Sequence, residues 1–282
     1  MPYPIWLRGM LEADRQSRLS PETVRLAGLI DSLSLKTVCR SARCPNLGGC
    51  WSKGAATFLL LGDVCTRACG FCNLRPGRPQ PTDVDEPWRL LQAVRELRLK
   101  HVVLTSVTRD DLSDGGAAHF GEVVRVLRRG GGGHLTIEVL TPDFQGRVAA
   151  LETLAEAAPD LWGHNIETVP RLYPRIRPGA DYNRSLSLLA RIKNLHPTLA
   201  TKSGLMLGLG ETPEEVAAVL PDLRQAGVDH LTLGQYLAPS RRHVPVARYL
   251  TPDEFAAWGQ QAISVGFLSV KSGPLVRSSS VC

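Results

Sequence analysis

The sequence predicts an α/β fold in which parallel strands alternate with helices to form a partial (β/α)6 barrel. From about residue 57 onward, short apolar runs alternate with amphipathic helical segments, a pattern typical of buried parallel strands joined by crossover helices. The links between them are short, which favours right-handed connections. Polar stretches directly follow several of the apolar runs, and in a barrel such loops meet at the C-terminal rim, where sites are built.

The predicted elements follow one another in regular order. The predicted strands are residues 55–63, 101–107, 134–140, 160–166, 201–209 and 229–237. The predicted helices are residues 86–99, 119–129, 147–158, 184–195, 213–227 and 251–266. Hydrophobic periodicity alone also allows a doubly wound open sheet. The polar stretches favour the barrel; they are residues 65–72, 108–116, 165–167, 208–211 and 235–240.

Two segments lie outside this alternation. Residues 1–56 are predicted to be an N-terminal extension, with helical spacing at 21–33 and then a cysteine-rich loop that contains proline and glycine. Residues 57–272 are predicted to form the barrel, and residues 273–282 a C-terminal tail.

Composition and charge limit the classes of function. A chain of 282 residues that is 43% hydrophobic has enough material for one large core. Its net charge of +6 suits an anionic cofactor or an acidic protein partner. Aromatic residues do not alternate with basic ones, which argues against nucleic-acid binding. No apolar run is long enough to span a membrane and no signal-peptide pattern is present, so we expect a cytoplasmic protein without membrane contact.

Three cysteines follow the first predicted strand with the spacing Cys65-x3-Cys69-x2-Cys72. Three thiolates within eight residues can bind three irons of a 4Fe–4S cluster and leave the fourth iron open to a substrate. A structural zinc site needs four ligands, and this loop has neither a histidine nor a fourth cysteine. The spacing therefore favours a cluster over zinc.

A second set of three cysteines lies in the N-terminal extension, spaced Cys39-x4-Cys44-x5-Cys50. It can hold a second cluster with one corner that is not a cysteine, while a structural cluster or a zinc site remain alternatives. The chain has seven cysteines and no secretion signal, which argues against a disulfide framework. Cys282 is a conceivable fourth ligand, although it lies at the chain end.

The first spacing, with Phe71 before the last cysteine, resembles the signature of radical SAM enzymes. That resemblance implies that the open iron binds the amino and carboxylate groups of S-adenosylmethionine (SAM), whose reductive cleavage yields a 5′-deoxyadenosyl radical. Both cysteine sets together resemble the lipoyl synthase family, as do the stretches HNIETVPRLYPRIRPGADYNRSL, LTLGQYLAPSRRHVPVARY and SGPLVRSS. The resemblance extends from about residue 37 to residue 279.

The family resemblance implies a partial TIM barrel with two 4Fe–4S clusters and SAM. It also implies insertion of two sulfur atoms at C6 and C8 of an octanoyl chain on a carrier-protein lysine, with the second, auxiliary cluster consumed as the sulfur source. The implied partners are octanoylated lipoyl-carrier domains of 2-oxoacid dehydrogenase acyltransferase subunits, the glycine cleavage H protein, and an electron donor such as a flavodoxin or ferredoxin.

The resemblance also implies residue roles. Cys65, Cys69 and Cys72 match the radical SAM cluster, and Cys39, Cys44 and Cys50 match the auxiliary cluster. The implied fourth ligand of the auxiliary cluster is Ser279. This sequence has Ser280 where the family has an aromatic residue, so Ser278 and Ser280 remain alternatives.

Four further residues are candidates for contact with SAM. Phe71 belongs to the cysteine signature. Asn165 and Glu167 follow a predicted strand and could hydrogen-bond a ribose or an amino group, or merely cap the strand end. Arg177 could pair with a carboxylate, although an arginine of this kind often lies on the surface.

Two alternative functions differ in kind from this one. The first is a non-enzymatic iron–sulfur scaffold or zinc module on an α/β domain. The second is another radical SAM enzyme that inserts sulfur, similar to biotin synthase or to the methylthiotransferases. The position of the Cys39 set before the radical signature, together with SGPLVRSS, argues against the second alternative.

Overall fold

The computed structural model describes residues 3–53 and 55–279, and the chain divides into two units. The N-terminal unit comprises Pro4–Thr66 and Asn73–Asp160. The C-terminal unit comprises Arg67–Cys72 and the chain from Leu161 onward, together with Tyr3. Each unit has its own set of parallel strands.

The N-terminal unit combines helices with five parallel strands, three in one sheet and two in a short separate pair. Its helices are α1 (Ile5–Ser17), α2 (Pro21–Ser32), α3 (Val38–Ser41), α4 (Leu47–Trp51), α5 (Glu86–Glu96), α6 (Ala117–Gly130) and α7 (Val148–Ala155). Its strands are β1 (Thr57–Leu60), β2 (Val64–Cys65), β3 (Arg75–Pro76), β4 (His101–Ser106) and β5 (Thr136–Leu140). Strand β4 lies between β1 and β5, and the short strand β2 pairs with β3.

The main strands of this unit are rich in apolar residues because they are buried in its core. Every residue of β1 is buried, and Leu104 of β4 and Val139 of β5 are fully buried next to it. Helix α6 places Phe120 in the same core, where its ring meets that of Phe144 edge to face. Strands buried along their whole length show no polar alternation in sequence.

The C-terminal unit contains four parallel strands in sequential order. Its strands are β6 (Leu161–Gly163), β7 (Ala200–Leu207), β8 (His230–Gln235) and β9 (Ser269–Gly273). Its helices are α8 (Tyr173–Ile176), α9 (Tyr182–Leu195), α10 (Pro213–Gln225) and α11 (Pro252–Val265). Helices α10 and α11 both begin with a threonine cap, a proline and a reciprocal glutamate bond, which fixes their first turns.

Helix α1 is an addition, because no element was predicted before residue 21. The predicted strands and long helices are confirmed, and two local expectations are wrong. The strand predicted at 160–166 ends at Gly163, and Glu167 beyond it has a left-handed backbone with φ of +65°. The cysteine-rich stretch predicted as a loop contains the short helices α3 and α4. Its proline and glycine therefore do not prevent single helical turns.

The length and apolar character of each helix decide whether it could span a membrane. Within residues 3–53 and 55–279, none combines the length and the apolar character that a membrane span requires.

Candidate functional site

The Cys39 set lies in the N-terminal unit on two short helices and the turn between them. Thr37 caps α3 by accepting the Arg40 amide at 3.4 Å. The amide of Cys44 then donates to the Cys39 carbonyl at 3.0 Å, after Arg43 has turned the chain with φ of +51°. The Cys50 amide donates to the Asn46 carbonyl at 2.9 Å within α4. These backbone bonds fold a segment of twelve residues, Cys39 to Cys50, into two short helices joined by a turn.

The thiols of this set influence one another electrostatically. Burial, followed by the charges of Cys44 and Cys39, raises the pKa of the Cys50 thiol to about 11. Neighbouring thiolates repel one another, and bound iron would offset that repulsion by supplying positive charge. One residue further along, the indole Nε1 of Trp51 is buried and has no hydrogen-bond partner among the described residues. Close thiols beside a buried donor fit a cluster with anionic sulfides.

Cys65 also lies in the N-terminal unit, on β2 just after the buried strand β1. The Thr108 amide donates to Cys65 Sγ at 3.3 Å. The Thr66 hydroxyl donates to the Thr108 carbonyl at 3.0 Å and accepts from the Asp110 amide at 3.0 Å. The polar stretch after β4 is therefore tied to the cysteine, and its backbone presents an N–H group to the sulfur, as is usual for cluster thiolates.

The turn before Cys65 is held by buried polar side chains. Leu61 has φ of +65°, and its amide donates to Glu86 Oε2 at 3.1 Å. His119 Nε2 lies 2.6 Å from the same oxygen. Arg109, which is 2% exposed, reaches the Leu61 carbonyl at 3.5 Å and pairs with Asp111 at 2.9 Å. Sequence reasoning missed Glu86 and His119, because neither follows a strand and nothing in their spacing links them.

Arg67–Cys72 belongs to the C-terminal unit and carries the other two cysteines of the signature. The Gly70 amide donates to the Ile176 carbonyl at 2.9 Å, and the Gly70 carbonyl accepts from the Val244 amide at 2.9 Å. His243 Nε2 lies 3.1 Å from the Cys72 carbonyl. Phe71 is half-buried between these anchors. Gly70 leaves no room for a side chain, since a Cβ there would lie 2.7 Å from Val244 Cγ2.

Asn165, Glu167 and Arg177 are brought together at the end of β6 in the C-terminal unit. Asn165 Nδ2 donates to Glu167 Oε1 at 3.0 Å. Arg177 Nη1 donates to the Asn165 carbonyl at 3.0 Å, to the Ile166 carbonyl at 3.1 Å and to the Tyr173 hydroxyl at 3.0 Å. The Arg177 guanidinium also lies over the Tyr173 ring, 5.2 Å from its centroid. Arg177 is therefore a buried structural brace rather than a surface side chain.

The backbone of Glu167 is fixed by strand β7. Its amide donates to the Gly204 carbonyl at 3.0 Å, and its carbonyl accepts from the Met206 amide at 2.9 Å. These two bonds hold a non-glycine residue in the left-handed region, a strain that frequently occurs at functional sites. Burial raises the pKa of the Glu167 carboxyl, although the charge of Arg177 and the bond from Asn165 oppose this shift.

Several buried polar atoms of this cluster have no partner within the protein. They are Asn165 Oδ1, Arg177 Nε and Ser203 Oγ, as judged over the described residues. Gly204 lies next to them, and a Cβ there would stand 2.8 Å from both Asn165 Oδ1 and Thr232 Oγ1. Buried polar atoms are almost always satisfied, so this group of donors and acceptors fits a polar ligand such as SAM. Ser203, Gly204 and Thr232 were not predicted, because within β7 and β8 they look like ordinary strand residues.

The tail that carries Ser279 follows β9 in the C-terminal unit. The Gln235 amide donates to the Pro274 carbonyl at 3.3 Å. A Cβ on Gly234 would lie 2.2 Å from the Val276 carbonyl oxygen, so only glycine allows this close approach. Ser278 and Ser279 are half-buried in the turn that follows. Ser280 and Cys282, the alternative ligands considered from the sequence, lie outside the described residues.

Among residues 3–53 and 55–279, no three His, Cys, Asp or Glu side chains form a group that could hold one metal ion. A 4Fe–4S cluster binds each cysteine to a different iron, so its cysteines need not converge on one point.

Comparison with known proteins places these features in a family. The family profile described as the Radical SAM superfamily matches residues 59–223, which include the Cys65 signature and the Asn165 cluster. The chain therefore belongs to the radical SAM superfamily.

Curated relatives define the family more narrowly. The lipoyl synthase of Syntrophotalea carbinolica is 53% identical over 98% of this chain and 87% of its own length. That of Nitrosococcus oceani is 54% identical, with 98% and 83% covered. That of Caldanaerobacter subterraneus is 50% identical, with 98% and 94% covered. Within the superfamily, the chain belongs to the lipoyl synthase family.

Several solved structures share the fold at low sequence identity. Methylornithine synthase (PylB) matches 93% of this chain with a TM-score of 0.51 and 13% identity. HydG, a maturase of the [FeFe]-hydrogenase, matches 94% with a TM-score of 0.52 and 12% identity. Streptococcus suis SuiB bound to its precursor peptide SuiA has a TM-score of 0.58 and 12% identity, and this chain spans about half of its length. The predicted fold class, the α/β partial barrel of the radical SAM type, is confirmed.

Proposed function

We propose that the two cysteine sets divide the work of a lipoyl synthase between them, with Cys65, Cys69 and Cys72 on the radical cluster and Cys39, Cys44 and Cys50 on the auxiliary cluster. As a member of its family, the chain inserts two sulfur atoms at C6 and C8 of a protein-bound octanoyl chain. It uses SAM and two 4Fe–4S clusters for this reaction. The assignment of cysteines is supported by their spacing and by their surroundings in each unit.

The bound groups supply the reactive chemistry. When bound, the radical cluster and SAM together provide hydrogen-atom abstraction from the octanoyl chain, and the auxiliary cluster provides sulfur. The protein has to hold these groups and keep their charges satisfied. The Thr108 amide serves this purpose by donating a hydrogen bond to Cys65 Sγ, which stabilises a thiolate.

The SAM-binding roles proposed from the sequence are refined by the geometry. Asn165 Oδ1 and Ser203 Oγ are free to bond the ligand, and the Glu167 carboxylate suits an amino group. Arg177 Nη1 already donates to two carbonyls and a hydroxyl, while its buried Nε has no partner among the described residues and could donate to a ligand carboxylate. Its main proposed role is therefore to fix the Asn165–Ile166 backbone. Phe71 remains a proposed cofactor neighbour through its place in the signature.

Ser279 is the proposed fourth ligand of the auxiliary cluster. A hydroxyl oxygen is a harder and less suitable iron ligand than a thiolate, so this corner can open more easily and expose iron and sulfide. We expect Ser279→Ala to lose lipoyl formation while the radical cluster still cleaves SAM. The matched control is Ser278→Ala, which should retain activity. An inactive Ser278→Ala with an active Ser279→Ala would move the ligand assignment by one residue.

The finer identity of the partners is part of the proposal. The substrate is an octanoyl chain bound to protein. The carriers we propose are lipoyl domains of 2-oxoacid dehydrogenase acyltransferase subunits and the glycine cleavage H protein, and the proposed electron donor is a flavodoxin or ferredoxin. We further propose a cytoplasmic location, and domain limits at residues 56 and 272.

The observation that carries this proposal is that Cys39, Cys44 and Cys50 lie on two short helices and the turn between them, close enough that Cys44 and Cys39 add to the raised pKa of the Cys50 thiol. The test is anaerobic reconstitution followed by mass spectrometry of an octanoylated carrier peptide. We expect about eight irons and eight sulfides per chain, and a product in which two sulfur atoms have been added. Zinc in place of iron, or SAM cleavage without sulfur transfer, would reject the proposal.

A further inference from the structure

Helix α1 and its C-cap residue contact the auxiliary cysteine loop (residues 39–50) through an ion pair in which the aspartate is buried and the arginine is partly exposed. Asp14 is 8% exposed, and its Oδ2 accepts from Arg18 Nε at 3.0 Å. The second oxygen, Oδ1, accepts from the Gly49 amide at 3.0 Å, one residue before Cys50. Arg18 Nη2 donates to the Cys44 carbonyl at 3.2 Å. One pair of side chains on α1 therefore holds the backbone beside two of the three cysteines.

The backbones of α1 and α4 also touch directly. A Cβ on Gly48 would lie 2.4 Å from the Asp14 carbonyl oxygen and 2.7 Å from the Arg18 nitrogen. The neighbouring Gly49 is different, since its nearest outside atom would be Asp14 Oδ1 at an ordinary 3.9 Å. Gly48 is thus the position at which α4 rests on α1, and a side chain there would separate the two helices.

A second brace holds the remaining cysteine segment. Arg40, next to Cys39, pairs with Asp31 of α2 through a bond of 3.2 Å from Nη2 to Oδ2. The Arg40 guanidinium also lies over the ring of Trp51, 5.3 Å from its centroid, and Trp51 follows Cys50. All of these contacts are made by protein atoms alone, so none of them requires a cluster.

We propose that the Asp14–Arg18 pair of α1 keeps the Cys44–Cys50 turn in its cluster-binding arrangement while the auxiliary cluster is absent, so that a new cluster can be loaded. This inference rests on the proposed function, in which that cluster is consumed as the sulfur source. A consumed cluster leaves three cysteines on a short loop without its inorganic core. Asp14 and Arg18 are positioning residues, because they act on the cysteines through the Gly49 amide and the Cys44 carbonyl.

The first test is hydrogen exchange of the full chain without iron, read by mass spectrometry over residues 44–53. In Asp14→Asn and Arg18→Gln we expect these amides to exchange about tenfold faster, since each change removes a charge-assisted bond. The controls are Glu12→Gln and Arg15→Gln, exposed residues of the same helix whose side chains make no bond among the described residues. Exchange equal to that of the controls would overturn the proposal.

The second test is the rate of cluster loading, followed by visible absorbance after anaerobic addition of iron and sulfide. It uses the full chain with Cys65, Cys69 and Cys72 changed to Ala, so that only the auxiliary cluster forms. Gly48→Ala should load about tenfold more slowly, whereas Gly49→Ala should load as the unchanged chain does. Equal loading by Gly48→Ala and Gly49→Ala would overturn the proposal.

The two measurements separate this inference from the proposed function. Neither uses an octanoyl substrate, so they remain informative if the wild-type chain fails to insert sulfur. Faster exchange throughout the chain in both Asp14→Asn and Arg18→Gln would mean that α1 stabilises the whole N-terminal unit. That result would also overturn the specific role for the cysteine loop.

Discussion

The two cysteine-bearing segments are held by different kinds of interaction. Besides its own backbone turns, the auxiliary loop is held from outside by side chains, namely the Asp14–Arg18 pair and Arg40. In the C-terminal unit, Arg67–Cys72 is held chiefly through its backbone, because Gly70 bonds on one side to Ile176 and on the other to Val244, with His243 as an added side-chain contact to the Cys72 carbonyl.

This difference bears on what each segment can do. Main-chain bonds around a glycine with no spare room leave a single arrangement, which suits a site that persists through many turnovers. Side-chain pairs on half-exposed helices are individually weaker and can re-form after disruption. The auxiliary loop thus has the kind of support that suits a cluster that is spent and replaced.

The largest expected effect comes from removing the radical set. Cys65, Cys69 and Cys72 changed together to Ala should abolish SAM cleavage and leave about half of the iron, because the open iron that binds SAM is lost. The measurements are 5′-deoxyadenosine by chromatography and iron by colorimetry. Cys282→Ala, outside both sets, is the control and should be fully active. Continued SAM cleavage in the triple variant would disprove the assignment of this cluster.

Changing the auxiliary cysteines should abolish product formation as completely as changing the radical set does. It should not abolish formation of the radical. With Cys39, Cys44 and Cys50 changed to Ala, we expect 5′-deoxyadenosine to form while no sulfur enters the octanoyl chain. The reason is that these residues hold the sulfur source rather than SAM. Mass spectrometry of the carrier peptide measures the outcome. Lipoyl groups made by this variant would show that the sulfur has another origin. The two cysteine-bearing segments would then differ in how they are held but not in the functions proposed for them.

Both cysteine sets could be identified from sequence, whereas their supports could not. Cysteine spacing is local information, and so is the apolar run that ends before Cys65. The bond between Asp14 and Gly49 joins positions 35 residues apart, and no periodicity connects them. Glu86 and His119 are likewise 33 positions apart. Pairings of this kind depend on tertiary packing, which a single sequence does not display.

The Asn165 cluster was predicted in part for a similar reason. Asn165 and Glu167 are two positions apart at the end of a predicted strand, so the sequence could suggest that they lie together. The buried position of Arg177 was not, because its partners are backbone carbonyls and a tyrosine. Arg177 meets these partners only in the folded chain, where Tyr173, one helical turn earlier, packs beside it.

Gly70 allows the backbone-held segment to be tested directly. Gly70→Ala places a Cβ 2.7 Å from Val244 Cγ2 and 3.3 Å from the Arg175 carbonyl oxygen. We expect this overpacking to cost about 1–3 kcal/mol locally and to reduce radical-cluster occupancy and SAM cleavage. Gly133→Ala is the control, since its Cβ would meet nothing within 4 Å. Full cluster occupancy in Gly70→Ala would mean that this segment adjusts as readily as the auxiliary loop.

The smallest expected effect concerns the charge of Glu167. Burial raises the pKa of this carboxyl, with Arg177 and Asn165 opposing the shift. The folded chain therefore holds the proton more tightly than the unfolded chain does. Its contribution to stability is complete below the ordinary carboxyl range and is lost as pH rises through the raised folded-state pKa.

Glu167→Gln cannot ionise, so the free energy of unfolding of this variant should lack that decline. Urea unfolding at a series of pH values measures the difference between the two chains, and Glu12→Gln, an exposed change, should follow the wild type. SAM should reduce the decline in the wild-type chain, because its ammonium group would stabilise the Glu167 carboxylate. Identical pH profiles for Glu167→Gln and the wild type, with and without SAM, would show that Glu167 does not face the ligand as proposed. The C-terminal unit would then have the rigid segment at Gly70 but no ionised side chain at the end of β6 for binding SAM.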